Sequence, residues 1–109
     1  MKPHERYWED NLPKMRAEME RWFGGNGDEA WRRYPRALIG GMGYRSLLDA
    51  GAGFCAEYYG FRREYPEIAY TAMDITPGFV ALGKERGIPM FLASVEDMPF
   101  EDTSFDCVY

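Results

Sequence analysis

Residues 47–55 read LLDAGAGFC. An apolar pair, an acid and two glycines one residue apart follow in that order. The apolar pair closes a short strand, YRSLLD at 44–49, and FCAEYYGFRREY at 54–65 reads as a helix that stops before Pro66. Glycine between a strand and a helix lets the backbone turn sharply and lets a ligand touch it. The first N–H groups of the helix point at the same spot. Gly51 and Gly53 thus form a seat for a ligand beside the carboxylate of Asp49. A tight turn that binds nothing would leave the same trace.

Downstream, the pattern repeats. IAYTAMD at 68–74 is almost continuously apolar, as a strand buried on both faces is. Thr76 followed by Pro77 is a capped, proline-first helix start, and that helix ends near Gly87. PMFLA at 89–93 is a third strand and SFDCVY at 104–109 a fourth. Alternating strands and helices predict a parallel α/β sheet with right-handed crossovers and cover on both faces. The expected strand order is 3-2-1-4.

Upstream, the period changes to that of a helix. Trp8, Leu12, Met15, Met19 and Trp22 recur in steps of four and three. Asn11 can cap this helix, Pro13 is tolerable in a first turn, and GGNG at 24–27 ends it. Asp28 can cap a second helix carrying Trp31, Tyr34 and Leu38, bent or broken at Pro35 and closed by GGMG at 40–43. The chain divides into a helical segment, 1–43, and a strand–helix segment, 44–109.

Composition bounds the function. The 109 residues suit one domain, and 46% apolar residues supply its core. No apolar run approaches the ~20 residues of a membrane span, and MKPHERYWED lacks the apolar stretch of a secretory signal. Cys55, Cys107 and the single His4 have no metal-ligand spacing, so the cysteines read as reduced thiols of a cytoplasmic protein. The net charge is −5 and uneven: residues 1–50 hold nine basic and eight acidic side chains, residues 51–109 four and ten. Nucleic acid is a poor partner for such a chain. Arg32, Arg33 and Arg36, its one basic cluster, read as a solvated helix face.

Two ligands compete for the glycine seat. Gly51, Gly53 and Ala56 fit the spacing of a dinucleotide loop, with Asp74 far enough on to hold ribose hydroxyls. Asp49 opposes that reading, because its charge repels a pyrophosphate and no lysine or arginine lies near the loop in sequence to offset it. A carboxylate at Asp49 suits an ammonium or another cation, and one at Asp74 suits a ribose diol. Both sit on the carboxyl edge of neighbouring strands, where ligands of such sheets bind. S-adenosylmethionine (SAM) combines a ribose, an ammonium and a sulfonium.

At this point a family resemblance is specific. LLDAGAGFC resembles the first motif of class I SAM-dependent methyltransferases, a hydrophobic pair and an acid before G-x-G-x-G. YTAMDITPGFVALGKERG resembles their second strand with its ribose-binding acid, and ASVEDMPFEDTSFDCVY is similar to the stretch that leads into their fourth strand. The resemblance covers residues 47–109 and implies a Rossmann-like, doubly wound sheet and methyl transfer from SAM. By position, it implies that Asp49, Gly51 and Gly53 line the methionine end of the cofactor and that Asp74 binds the ribose. It also implies that Ile75 packs on the adenine while Ser94 and Val95 read the adenine edge. Asp106 stands at the family's fourth-strand acid, or makes a local hydrogen bond.

Two positions depart from the family. Cys55 replaces the third glycine, and Ser94 replaces the usual acid at the adenine, for which Glu96 is a possible substitute. No nucleophile–base pair is recognisable, so no catalytic residue is assigned. The N-terminal helices could form part of a lid, with Tyr7 and Trp8 expected to pack in the core rather than to close over the ligand. The family's sheet has more strands than the four read here. The sequence is thus expected to be a truncated piece of a longer enzyme, or a remnant completed by a partner, with an open fourth strand prone to self-association.

Overall fold

The structure, a computed structural model, describes residues 2–23 and 30–109, with the backbone alone for 19–23. Helices α1 (Pro3–Phe23) and α2 (Ala30–Gly41) precede β1 (Ser46–Ala50), α3 (Ala56–Glu64), β2 (Ala69–Asp74), α4 (Pro77–Glu85), β3 (Met90–Leu92) and β4 (Cys107–Val108). The strands form one parallel sheet in the order β3-β2-β1-β4, as expected. Register follows the apolar runs: Leu47 lies beside Tyr70 and Cys107, and Ala72 beside Asp49 and Met90.

Side chains alternate along these strands, so one face collects Leu47, Tyr70, Ala72 and Met90. Both crossovers step in the same direction along the sheet, and right-handedness places α3 and α4 on this same face. Phe61 of α3 and Phe79, Val80 and Leu82 of α4 complete the core there. Leu48 and Met73 point to the opposite face and are also buried. On that face the β3–β4 connection stacks Phe100 against Phe91 and Phe105, edge to face.

The two N-terminal helices differ from expectation. α1 begins eight residues before Asn11, because Pro3 takes the first helical position, where its missing N–H costs nothing. The Glu5 carboxylate accepts from the Lys2 N–H at 3.0 Å. Asn11 donates to the Tyr7 carbonyl inside the helix and caps nothing. α2 runs through Pro35 without a break. The side chains of Met19 and Trp22, the break at 24–27 and the cap at Asp28 lie outside the described residues.

The face that α2 turns inward is also not the expected one. Trp31, Tyr34 and Leu38 are exposed. Arg36 is only 1% exposed and donates to Glu64 of α3 from Nε at 2.7 Å, while Arg32 pairs with Glu57. The solvated-face reading therefore holds for Arg33 alone. Arg32 and Arg36 sit one turn apart and meet two carboxylates of α3 that are seven residues, or two turns, apart. Electrostatic matching, not apolar periodicity, sets the rotation of this helix.

Close approach of α2 to α3 depends on Gly60. A Cβ there would lie 2.2 Å from the Arg36 Nη1. Gly60→Ala is expected to lower stability despite alanine's helix preference of about 0.5–1 kcal/mol, because overpacking costs about 1–3 kcal/mol. A urea melt measures the net loss. A raised midpoint would show that the guanidinium gives way freely.

Candidate functional site

All four strands end at one edge, and a cavity of about 640 Å³ opens above it. Its floor is the β1–α3 turn. Gly51 and Gly53 adopt positive φ, 73° and 56°, where a side chain is strained. The N–H groups of Gly51 and Ala52 both donate to the Met73 carbonyl at 2.9 Å, tying the turn to β2. Cys55 is left-handed as well, with φ 58°, and its buried Sγ lies 3.6 Å from the Met90 Sδ. Burial pushes its thiol up to about 12. Cysteine thus occupies the third-glycine position in a glycine-like conformation.

Asp74 ends β2 and holds two segments together. One carboxylate oxygen accepts from Gly53 N–H at 2.9 Å and the other from Thr76 N–H at 3.0 Å. The glycine turn and the start of α4 are thereby fixed to one side chain. Pro77 opens α4 as expected, but the Thr76 hydroxyl makes no capping bond. Glu9 of α1 serves instead, accepting from Gly78 N–H at 3.1 Å. A negative group there also suits the helix dipole.

Asp49 is buried at the end of β1 and accepts a hydrogen bond from the Tyr70 hydroxyl. Burial pushes its carboxyl up to about 6. The Tyr70 bond and the Arg32 charge oppose that rise, while the charges of Glu57 and Asp74 add to it. Tyr70 is in turn held protonated by burial and by the Asp49 charge. The site is therefore an acidic pocket: Asp49, Glu57 and Asp74 all line it.

The seven residues singled out in the sequence, Asp49, Gly51, Gly53, Asp74, Ile75, Ser94 and Val95, all line this one cavity. Ser94 and Val95 stand at its β3 edge, where the Ser94 Oγ accepts from Glu96 N–H at 3.1 Å and Val95 is exposed. Glu96 also lines the cavity and pairs with Lys2 at 3.5 Å. Asp106 is elsewhere. It precedes β4 at the amino edge of the sheet, where it accepts from Arg45 N–H at 2.7 Å. Its bond is structural but not local, since it ties the start of β4 to the start of β1, sixty-one residues away in sequence.

The sequence offers the N-terminal helices as part of a lid, but not which of their side chains reach the cavity. Trp8 and Met15 of α1 and Trp31 of α2 line the cavity, together with Phe54 and Phe79. Trp8 packs on Phe79 at 6.2 Å between ring centroids, and Phe79 on Phe54 at 4.7 Å. Trp8 and Tyr7 are 39% and 57% exposed, so neither is a core residue, and Trp8 stands at the rim of the cavity. Apolar spacing marked Trp8 and Met15 as one helix face without showing that the face overlies a cavity. Arg32 and Glu57 line it too. Their signal, an arginine and a glutamate on different helices, exists only once those helices are packed.

Comparison with known proteins places this geometry. The family described as "Methyltransferase domain" matches residues 48–109. A demethylmenaquinone methyltransferase of Corynebacterium efficiens is 31% identical over 81 residues, which is 74% of this chain and 34% of the relative. The chain thus spans about a third of the length of that curated relative. Among solved structures, the sugar N-methyltransferase KedS8 from Streptoalloteichus sp. superposes with a TM-score of 0.59 at 22% identity, over 83% of this chain and 38% of that one. The plantazolicin methyltransferase BpumL, in complex with a pentazolic desmethylPZN analog and SAH, gives a TM-score of 0.56 at 14% identity, over 97% and 40%. These likenesses show the Rossmann-like α/β fold. Among the described residues, no helix is long and apolar enough to cross a membrane.

Proposed function

The chain belongs to the methyltransferase domain family, and from that premise we propose that it is the cofactor-binding part of an enzyme that methylates its acceptor with SAM. One observation carries the choice of cofactor: the buried Asp49 carboxylate and the Asp74 carboxylate flank a positive-φ glycine turn in a single cavity. Those two acceptors fit SAM, since one acid faces a cationic tail and the other a diol. A pyrophosphate would meet both carboxylates, which Arg32 offsets only in part because it is already paired with Glu57. The cavity volume also lies within the few hundred to thousand Å³ usual for small-molecule sites.

In this reading Asp49, Gly51 and Gly53 receive the methionine end, Asp74 the ribose, and Ile75, Ser94 and Val95 the adenine. The bound cofactor supplies an electrophilic methyl group on its sulfonium. The chain's own residues position it, and Trp8, Met15 and Trp31 set apolar surface along the cavity, which limits what can approach. No group here is assigned to proton removal. The relatives are named for acceptors as different as demethylmenaquinone, a sugar nitrogen and plantazolicin, so the fold leaves the acceptor open. Residues 44–109 form the N-terminal part of the binding domain and residues 1–43 its helical cover, in a cytoplasmic enzyme. The outer edge of β4 is open to pairing with a further strand.

Calorimetric titration with SAM, its demethylated product SAH, and NAD tests the reading. Binding of SAM and SAH without NAD is the expected result. Preference for NAD would replace it with the dinucleotide reading.

A further inference from the structure

Asp49 divides its two oxygens between the core and the cavity. The residue directly beside it on β2 is Ala72, and Tyr70 comes two residues earlier, so Tyr70 is its diagonal neighbour on the same face of the sheet. The small side chain of Ala72 leaves the Tyr70 ring room to lean toward the carboxyl edge, where its hydroxyl donates to the Asp49 Oδ2. Tyr58 of α3 meets that ring edge to face at 5.3 Å, and Tyr70 and Asp49 are both buried. Oδ1 is left to the cavity that Asp49 lines.

A buried carboxylate resists ionisation, and most of the groups around Asp49 do nothing to relieve it. Glu57 of α3 and Asp74 of β2 bring like charge, while Cys55 in the turn and Tyr109 after β4 keep their protons. Arg32 of α2 brings opposite charge and is already paired with Glu57. A second cation set against Asp49 would keep it ionised, but would also repel an incoming ammonium. A phenol donor does the first without the second. Tyr70 remains a donor, because burial and the Asp49 charge hold its proton. A bond to one oxygen also fixes the rotation of the carboxylate, so the other keeps a constant direction.

We propose that Tyr70 is the positioning residue of the cofactor's ammonium site: it turns one Asp49 oxygen inward and holds the other, charged, for the ligand. The proposal rests on SAM being the cofactor with its methionine end at Asp49. It gives a buried residue of β2 a part in recognising the amino-acid tail, although the ligand never touches it.

The test compares SAM with methylthioadenosine, which keeps the ribose and adenine and lacks the amino-acid tail. Titration calorimetry on the wild-type protein is expected to show SAM affinity rising through about pH 6, as Asp49 ionises, and falling again near pH ~8, where an α-amino group loses its proton. Methylthioadenosine should show neither limb. Tyr70→Phe keeps the ring against Tyr58 and removes the donor. Its rising limb is expected to move up by about one pH unit or more, the scale of a hydrogen bond to a charged group. The falling limb and the affinity for methylthioadenosine should stay as in wild type. A rising limb that does not move, or both ligands weakened alike at every pH, would overturn the proposal. If Tyr70→Phe fails to fold, the wild-type phenol proton decides. It should give a downfield NMR resonance that persists with SAM bound, and its loss on binding would overturn the proposal as well. A wild-type protein that binds methylthioadenosine but not SAM, or neither, would instead remove the SAM reading, and this proposal with it.

Discussion

Asp49→Asn is expected to make the protein more stable and a weaker binder of SAM at pH 7.5. The Asp49 carboxyl ionises at 3.8 in the unfolded chain and at about 6 in the folded one, because burial disfavours its charge. Between those values the native state keeps a proton that the unfolded state has released, so stability falls as pH rises through the window. By linkage the loss is about 3 kcal/mol, complete above pH ~7. Asparagine does not ionise and escapes it, while its amide oxygen still accepts from Tyr70. The hydrogen bond is weaker to a neutral acceptor, by about 1 kcal/mol, which leaves a net gain of about 1–2 kcal/mol.

The binding side has the opposite sign. A neutral amide no longer attracts an ammonium, and SAM affinity should fall by about 1.5–3 kcal/mol, or 10- to 100-fold. Wild-type affinity should itself rise with pH through about 6, as Asp49 ionises. Urea melts of both proteins at pH 4.5 and 7.5, with calorimetry at the same values, measure all of this. A variant that is less stable at pH 7.5 and binds SAM normally would show that Asp49 is structural.

Asp74→Ala is expected to damage folding and binding together. From sequence, a strand-end acid reads as dispensable for the fold. In the structure its two oxygens accept from Gly53 and Thr76 N–H groups, and the residue is 8% exposed. Each abandoned donor costs about 1–3 kcal/mol, so the melt should drop by about 2–4 kcal/mol. Binding should suffer more than the ribose contact alone accounts for, since the glycine turn loses its anchor. Asp74→Asn separates the two roles. It keeps one acceptor oxygen, and should recover part of the stability while still binding SAM poorly. If Asp74→Ala melts like wild type, the turn is held by Met73 alone and the acid serves only a ligand.

The strand order, the parallel register and the floor of the site were legible because local chemistry dictates them. Apolar runs demand burial, and Gly51 and Gly53 permit the positive φ that the turn adopts. What failed was whatever depends on a distant partner. Trp31, Tyr34 and Leu38 have helical spacing, yet Arg36 faces inward because Glu64 and the bare backbone of Gly60 await it on α3. Trp8 follows the same apolar stripe as Leu12 and Met15, but whether a stripe meets core or cavity depends on the helix beneath it. Cys55 was legible as small and not as left-handed. Thr76 had the right type for a cap, and a glutamate sixty-seven residues upstream took part of its work.

The conformation of Cys55 gives the protein a built-in chemical clock. Thiols are alkylated as thiolates, and this one is 1% exposed with its ionisation driven up to about 12. At neutral pH an alkylating reagent can reach it only when the glycine turn swings away from Met90. The rate of labelling therefore counts openings of the floor, one molecule at a time. Cys107 is the other free thiol, and Cys107→Ser would leave Cys55 as the only reporter. A ligand seated on Gly51 and Gly53 holds the floor shut, so it slows the clock by the factor with which it stabilises the closed turn. Occupancy becomes readable by mass spectrometry, with no acceptor identified and no methyl group transferred.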